Sequence, residues 1–281
     1  MVTGHHFMTE KTINIENKSL PRLYKKLSIQ ISLNGLSFSI VDTINNTIII
    51  TGMVSFKIES TPYLVLKELK TLLDKHKILG QKFSEVQVIH KNNLFSLVPK
   101  TLFNEKELAN YLKFNTKLLA NDHIVYDELD NQDIVSVYVP FTNINNYVYD
   151  NFGEFEFKHS STVLLHTLLH KKPSSKAVCY VHVSDREMEL VVLHQKKVIL
   201  YNQFKYATKE DFLYYILFTY EQLKLDPEHH KLKLFGTIEE GNDLFEICYH
   251  YIRKVSIFVP KNVKYTLEKG NDEAIDLTLL N

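Results

Sequence analysis

The stretch KAVCYVHVSDREMELVVLHQKKVILYNQF, Lys176 to Phe204, reads as three β-strands joined by two tight turns. Val181, Val183, Met188, Leu190 and Val192 fall on one face of the alternation, and His182 points away from it. The first turn is Ser184-Asp185-Arg186-Glu187. A hairpin of this kind can hold a phosphate when its backbone amides come close to the anion, and such turns usually need glycine. This one has none.

The same meander occurs earlier in the chain. LSIQISLNGLSFSIVDTINNTIIITGMVSF, beginning at Leu27, alternates apolar residues at Ile29, Ile31 and Leu33 and again at Leu36, Phe38 and Ile40. Asn34-Gly35 and Asn45-Asn46 supply the turns. Each meander is followed by a helical pattern. In the first half it is YLVLKELKTLLDKHKIL, opened by Pro62, and in the second KEDFLYYILFTYEQLKL, ending before Pro227. In the first half there follow strands in SEVQVIH and LFSLVP, a helix in NEKELANYLKF capped by Asn104, and strands in HIVYDEL and DIVSVYVP. The second half continues with a strand KLKLFG, a helix NDLFEICYHYI and a strand KVSIFVP. Both halves thus carry the order β-β-β-α-β-α-β, and Ser32 aligns with Ser184 and Phe38 with Leu190 at an offset of 152 residues. The join is expected near Asn151 to Lys158, followed by a linking helix SSTVLLHTLLH. The expected division is an N-terminal extension at 1–24, a first lobe at 25–155, a second lobe at 156–262 and a C-terminal tail at 263–281.

Two tandem units of this order resemble the duplicated ribonuclease-H-like fold of the actin, Hsp70 and sugar-kinase superfamily. ISLNGLSFSI (31–40), FKHSSTVLLHTLL (157–169) and VHVSDREMELVVL (181–193) carry the resemblance. They are similar to a bacterial family of the Bacteroidetes lineage, known as a domain of unknown function with an actin-like ATPase fold. In outline the chain also resembles the pilus-assembly actin-like protein, a cytoplasmic scaffold. The resemblance implies an α/β protein of two ribonuclease-H-like lobes with a cleft between them. It implies nucleotide contacts at Ser32, Asn34 and Gly35, at Ser184 and Asp185, and at Gly236 of LFGTIEEG. Each position departs from the superfamily pattern. QISLNG lacks the acidic residue that works with magnesium, Asp185 is followed by Arg186 and Glu187 rather than glycine, and Gly236 stands without a glycine neighbour. A Glu187 carboxylate beside a triphosphate would oppose binding.

Composition narrows the function further. The chain has 281 residues with 33 basic and 33 acidic side chains, so bulk charge draws it to neither nucleic acid nor an anionic membrane. Its glycines number 8, about 3% of the chain against about 7% on average. None forms GxGxxG or GxxxxGK[ST], which excludes the common phosphate loops. Two cysteines, Cys179 and Cys248, fit a reducing compartment. No secretory leader and no membrane span are expected, which points to the cytoplasm. His166 and His170 share a helix face, but without HExxH they read as a surface pair, and no metal site is expected. Nothing supports a nucleophile. The aromatic helix containing Tyr206, Phe212, Tyr214, Tyr215, Phe218 and Tyr220 reads as core, with a partner surface as the alternative. The expectation is a non-catalytic cytoplasmic scaffold or interaction module. Its nucleotide site is degenerate, it needs no cofactor, and its partner is a protein. The alternative is an ATP-binding protein or ATPase of the superfamily, with Mg-ATP as its cofactor.

Overall fold

A computed structural model describes residues 24–114, 117–129, 132–170, 174–184, 186–258 and 266–267. The expected N-terminal extension and C-terminal tail lie outside the described residues, apart from Tyr24 and Thr266–Leu267. So does Asp185.

Strands β1 (Lys25–Ile31), β2 (Gly35–Asp42) and β3 (Thr47–Ser55) form the first antiparallel meander. Helix α1 (Pro62–Lys75) follows, with Thr61 accepting from the Leu64 amide and Pro62 opening the first turn. Then come β4 (Glu85–His90), β5 (Phe95–Pro99), α2 (Leu108–Leu112), β6 (Val125–Glu128), β7 (Ile134–Tyr138), α3 (Thr142–Phe152) and β8 (Glu156–His159). Helix α4 (Ser160–Leu169) leads into the second meander, β9 (Val178–Val183), β10 (Glu187–His194) and β11 (Lys197–Lys205). Helix α5 (Lys209–Gln222), β12 (Lys231–Gly236), α6 (Asp243–Tyr251), β13 (Lys254–Ile257) and the short β14 (Thr266–Leu267) complete the order.

Two compact units result, divided between Leu164 and Leu165, within α4. The first unit's sheet runs β14-β3-β2-β1-β4-β8, and the second unit's runs β11-β10-β9-β12-β13. Setting β14 aside, these are one topology: an antiparallel meander whose first strand pairs in parallel with the strand after the helix. Because β8 pairs with β4, the strand beginning at Glu156 lies in the first unit's sheet. Each sheet buries one face under its helices. In the first unit Leu27, Ile29, Phe38, Leu69, Leu73 and Ile144 meet in one core. In the second, Val181, Leu190, Phe212, Ile216, Leu234 and Cys248 do the same.

The first unit differs from the expectation in its later elements. LFSLVP, NEKELANYLKF, HIVYDEL and DIVSVYVP do not complete the repeat. They build a separate three-stranded sheet, β5-β7-β6, with α2 and a small core of Val98, Leu112, Val135 and Val137. The repeat's second helix is α3, TNINNYVYDNF, which the sequence pattern does not announce. Its asparagines are poor helix formers. Packing holds it instead: Ile144 and Val148 enter the core, and the Asn145 amide oxygen meets His90 Nε2 at 2.9 Å.

Candidate functional site

The first hairpin turns through Ser32, Leu33 and Asn34. The Ser32 amide donates to the Gly35 carbonyl at 2.9 Å, and the Ser32 hydroxyl donates to the same oxygen at 2.8 Å. The Asn34 amide donates back to Ser32 Oγ at 3.2 Å. The Asn34 and Leu33 carbonyls accept from the amides of Phe56 and Ser60. The amides of Ser32 and Asn34, which could face a phosphate, are thus spent inside the turn. Gly35 opens β2 in extended backbone, so it is not there to supply a left-handed turn residue. A Cβ at Gly35 would sit 2.6 Å from the Val54 carbonyl oxygen, so glycine is needed for strand packing.

The second hairpin shares the backbone bond that closes the first. The Ser184 amide donates to the Glu187 carbonyl at 2.8 Å, and Tyr206 Oη donates to the Ser184 carbonyl at 2.7 Å. Glu187 lies 3.8 Å from the Lys205 ammonium. Gly236 ends β12 directly beside the end of β9, paired with Val183, so Ser184 and Gly236 are neighbours in the second unit. Ser32, Asn34 and Gly35 share the first unit's hairpin. Gly236 has φ +93°, and a Cβ there would fall 2.3 Å from the Val183 carbonyl oxygen and 2.8 Å from His182 Cδ2. Glycine is demanded twice at this position, by conformation and by space.

His182 is a buried, hydrogen-bonded strand histidine, as its place in the alternation suggests. Its Nδ1 lies 2.8 Å from Glu189 Oε2, and Tyr201 Oη donates to Glu189 Oε1 at 2.5 Å. Phe235 packs against the imidazole, with ring centroids 5.1 Å apart. A buried carboxylate with two such partners is satisfied in place.

A larger buried polar network in the first unit is absent from the sequence expectations. Asp127 on β6 accepts from Tyr138 Oη at 3.0 Å, from the His159 amide at 3.0 Å and from the Thr162 hydroxyl at 2.9 Å. Burial pushes its carboxyl above the usual range, and these three hydrogen bonds pull the other way. His159 Nδ1 accepts from the Ser161 amide, and its Nε2 meets the Asn92 carbonyl at 3.1 Å. His159 therefore caps the start of α4 through its Nδ1, and Asp127 holds the amide of that residue and the Thr162 hydroxyl in place. The network is sealed: Asp127, Tyr138, His159 and Thr162 are all buried. A clasp between the inserted sheet and α4 is the chemistry this arrangement suits. The sequence did hold a signal, since Asp127 alternates in step with the apolar Val125 and Leu129.

Other candidates resolve simply. Cys179 and Cys248 are free and buried, and burial pushes both thiols upward, away from the reactive thiolate. His170 Nδ1 bonds the His166 carbonyl at 2.7 Å. Among the described residues no three His, Cys, Asp or Glu side chains form a group that could hold a metal. No described helix is long and apolar enough to cross a membrane.

The fold has clear relatives. A Bacteroides thetaiotaomicron protein with an actin-like ATPase fold and unknown function superposes with a TM-score of 0.70 at 22% identity, covering 84% of this chain and 91% of that one. A type IV pilus biogenesis complex, PilM–PilN, contains a chain that superposes with a TM-score of 0.57 at 14% identity, covering 92% and 98%. At such identities the likeness establishes the actin-like fold and nothing of activity. No curated protein sequence matches. Residues 12–255 match the family model described as protein of unknown function DUF3822, and the chain belongs to that family.

Proposed function

We propose that this protein is a non-catalytic, cytoplasmic member of the actin-like fold that works by recognising another protein. The observation that carries this reading is that the first hairpin closes on itself and the second spends the Ser184 amide in the same way. Ser32, Asn34 and Ser184 spend their amides within their own turns. The first hairpin offers no carboxylate for magnesium, and the second brings Glu187 where a triphosphate would need positive charge or bare backbone. Gly236, the remaining nucleotide-type feature, has a sufficient structural reason to be glycine. Recognition has its own support. Helices α5 and α6 turn aromatic side chains outward, with Tyr214 60%, Phe218 44% and Tyr249 59% exposed. Aromatics of this kind enrich the centres of protein interfaces. The PilM–PilN relative is itself part of a protein complex.

The competing reading, an ATP-binding protein or ATPase, draws on the duplicated hairpin frame. Calorimetric titration with Mg-ATP separates the two, with Asp185→Ala as control. The expected outcome is no binding heat up to millimolar nucleotide. Micromolar binding that Asp185→Ala abolishes would overturn the proposal in favour of a live nucleotide site.

A further inference from the structure

The two units end their first long helix in the same way. The Ile78 amide donates to the Leu73 carbonyl, and the Leu225 amide to the Tyr220 carbonyl. The residue before each, Lys77 or Lys224, has φ of 53° or 54°. This is one helix-ending motif used twice, with lysine in the left-handed position. Beneath it the copies diverge. In the first unit Ile78 is 1% exposed and closes the corner against the core. In the second unit its counterpart Leu225 is half-buried, and the corner opens as a recess of about 400 Å³.

The lining of that recess is sorted. Ile199 and Leu225 give the recess its apolar surface, and Lys176, Lys224, His194 and His230 stand around it. His194 closes the β10–β11 hairpin where Asp42 closes β2–β3 in the first unit, so a ring that can donate a hydrogen bond stands where the first unit has a carboxylate. Among the described residues the lining contains no carboxylate. The acidic side chain nearest in sequence, Asp226, is engaged by His229 Nδ1 at 2.5 Å and by the Glu228 amide. Neither Lys176 nor Lys224 is ion-paired among the described residues. The recess lies at the start of β9, and the hairpin with Ser184 and Gly236 lies at that strand's other end. Its volume is that of a small-ligand pocket, whose usual make-up is an apolar floor with a few placed polar groups.

We infer that this recess binds a small amphipathic anion, a phosphate or carboxylate on a compact apolar body. Lys176 and Lys224 receive the acidic head, His194 and His230 offer ring N–H groups to it, and Ile199 and Leu225 carry the body. The inference is independent of the nucleotide reading, because it concerns the opposite end of the second sheet.

The test is an NMR titration of the full-length protein with phenyl phosphate, run beside benzoate and the cationic benzylamine. Saturable shifts at Ala177, Ile199 and Leu225 with an anion, and none with benzylamine, are expected. The stronger of the two anions identifies the headgroup. Lys176→Glu combined with Lys224→Glu should weaken binding about tenfold or more. Both side chains are exposed, so a thermal melt should show the variant folded as the parent. Shifts that fail to saturate, that saturate elsewhere, that appear equally with benzylamine, or that survive the double substitution would overturn the inference.

Discussion

The two units share a frame down to its irregularities. Each β-meander carries a register shift at the same place in its second hairpin, between Ile40 and Val41 and between Val192 and Leu193. A threonine caps the following helix in both, Thr61 and Thr208. What differs is the filling. At the tip of the strand after the helix, the first unit has buried His90, whose Nδ1 accepts from the Phe141 amide and whose Nε2 meets Asn145. The second unit has Gly236 at that tip, and the neighbouring strand supplies an imidazole instead, from His182. On the sheet face away from the core, the first unit aligns Thr51, Ser39, Ser28 and Gln87, each with a buried oxygen lacking a hydrogen-bond partner. The second aligns Tyr201, Val191, Tyr180 and Lys233 in the same row. Strand pairing and helix capping hold this frame, while side chains at matched positions are free to change size and charge.

At neutral pH the largest expected effect tests the glycine that the frame cannot replace. Gly236→Ala should cost about 3 kcal/mol in urea unfolding, because it adds a clash to a left-handed strain. Gly35→Ala meets the Val54 carbonyl without that strain and should cost about 2 kcal/mol. Equal or negligible costs would mean that Gly236 is kept for another purpose, and the nucleotide reading would regain ground.

Acid should act on the first unit through His90. Burial lowers its pKa from 6.5 to about 3. The unfolded chain binds that proton first, so stability is lost as pH falls from about 6.5 toward about 3, by about 1.4 kcal/mol per pH unit. Asp127 acts in the opposite sense. Its raised pKa means the folded state is protonated first, so its contribution grows as pH falls. Urea unfolding at several pH values should give a flatter dependence for His90→Asn than for the parent. An unchanged slope would place the acid sensitivity elsewhere.

The smallest effects compare the matched rows. Tyr201→Phe removes a donor from buried Glu189 and should cost about 1.5 kcal/mol. Ser39→Ala removes a hydroxyl without a partner and should fall within about 0.5 kcal/mol of the parent, on the stabilising side. A substantial loss at Ser39 would show that its hydroxyl is satisfied in solution.

The repeat was legible in the chain because local rules write it. Alternation marks the strands around Ile29 and Val181, asparagine pairs and polar residues mark the turns, and Pro62 and Pro227 bracket helices. These signals act between near neighbours, so periodicity alone places β1 to α1 and β9 to β13, and with them the expected hairpins at Ser32 and Ser184. Tertiary structure decided the rest. Helix α3 exists because Ile144, Val148 and Asn145 find partners far away in the chain, against its own weak propensity. Asp127 became a clasp because folding carried it to His159 and Thr162, and the corner at Leu225 stays open where that at Ile78 is closed, although the two side chains are equal in size. Burial and long-range hydrogen bonds set these outcomes, and both depend on which distant residues meet.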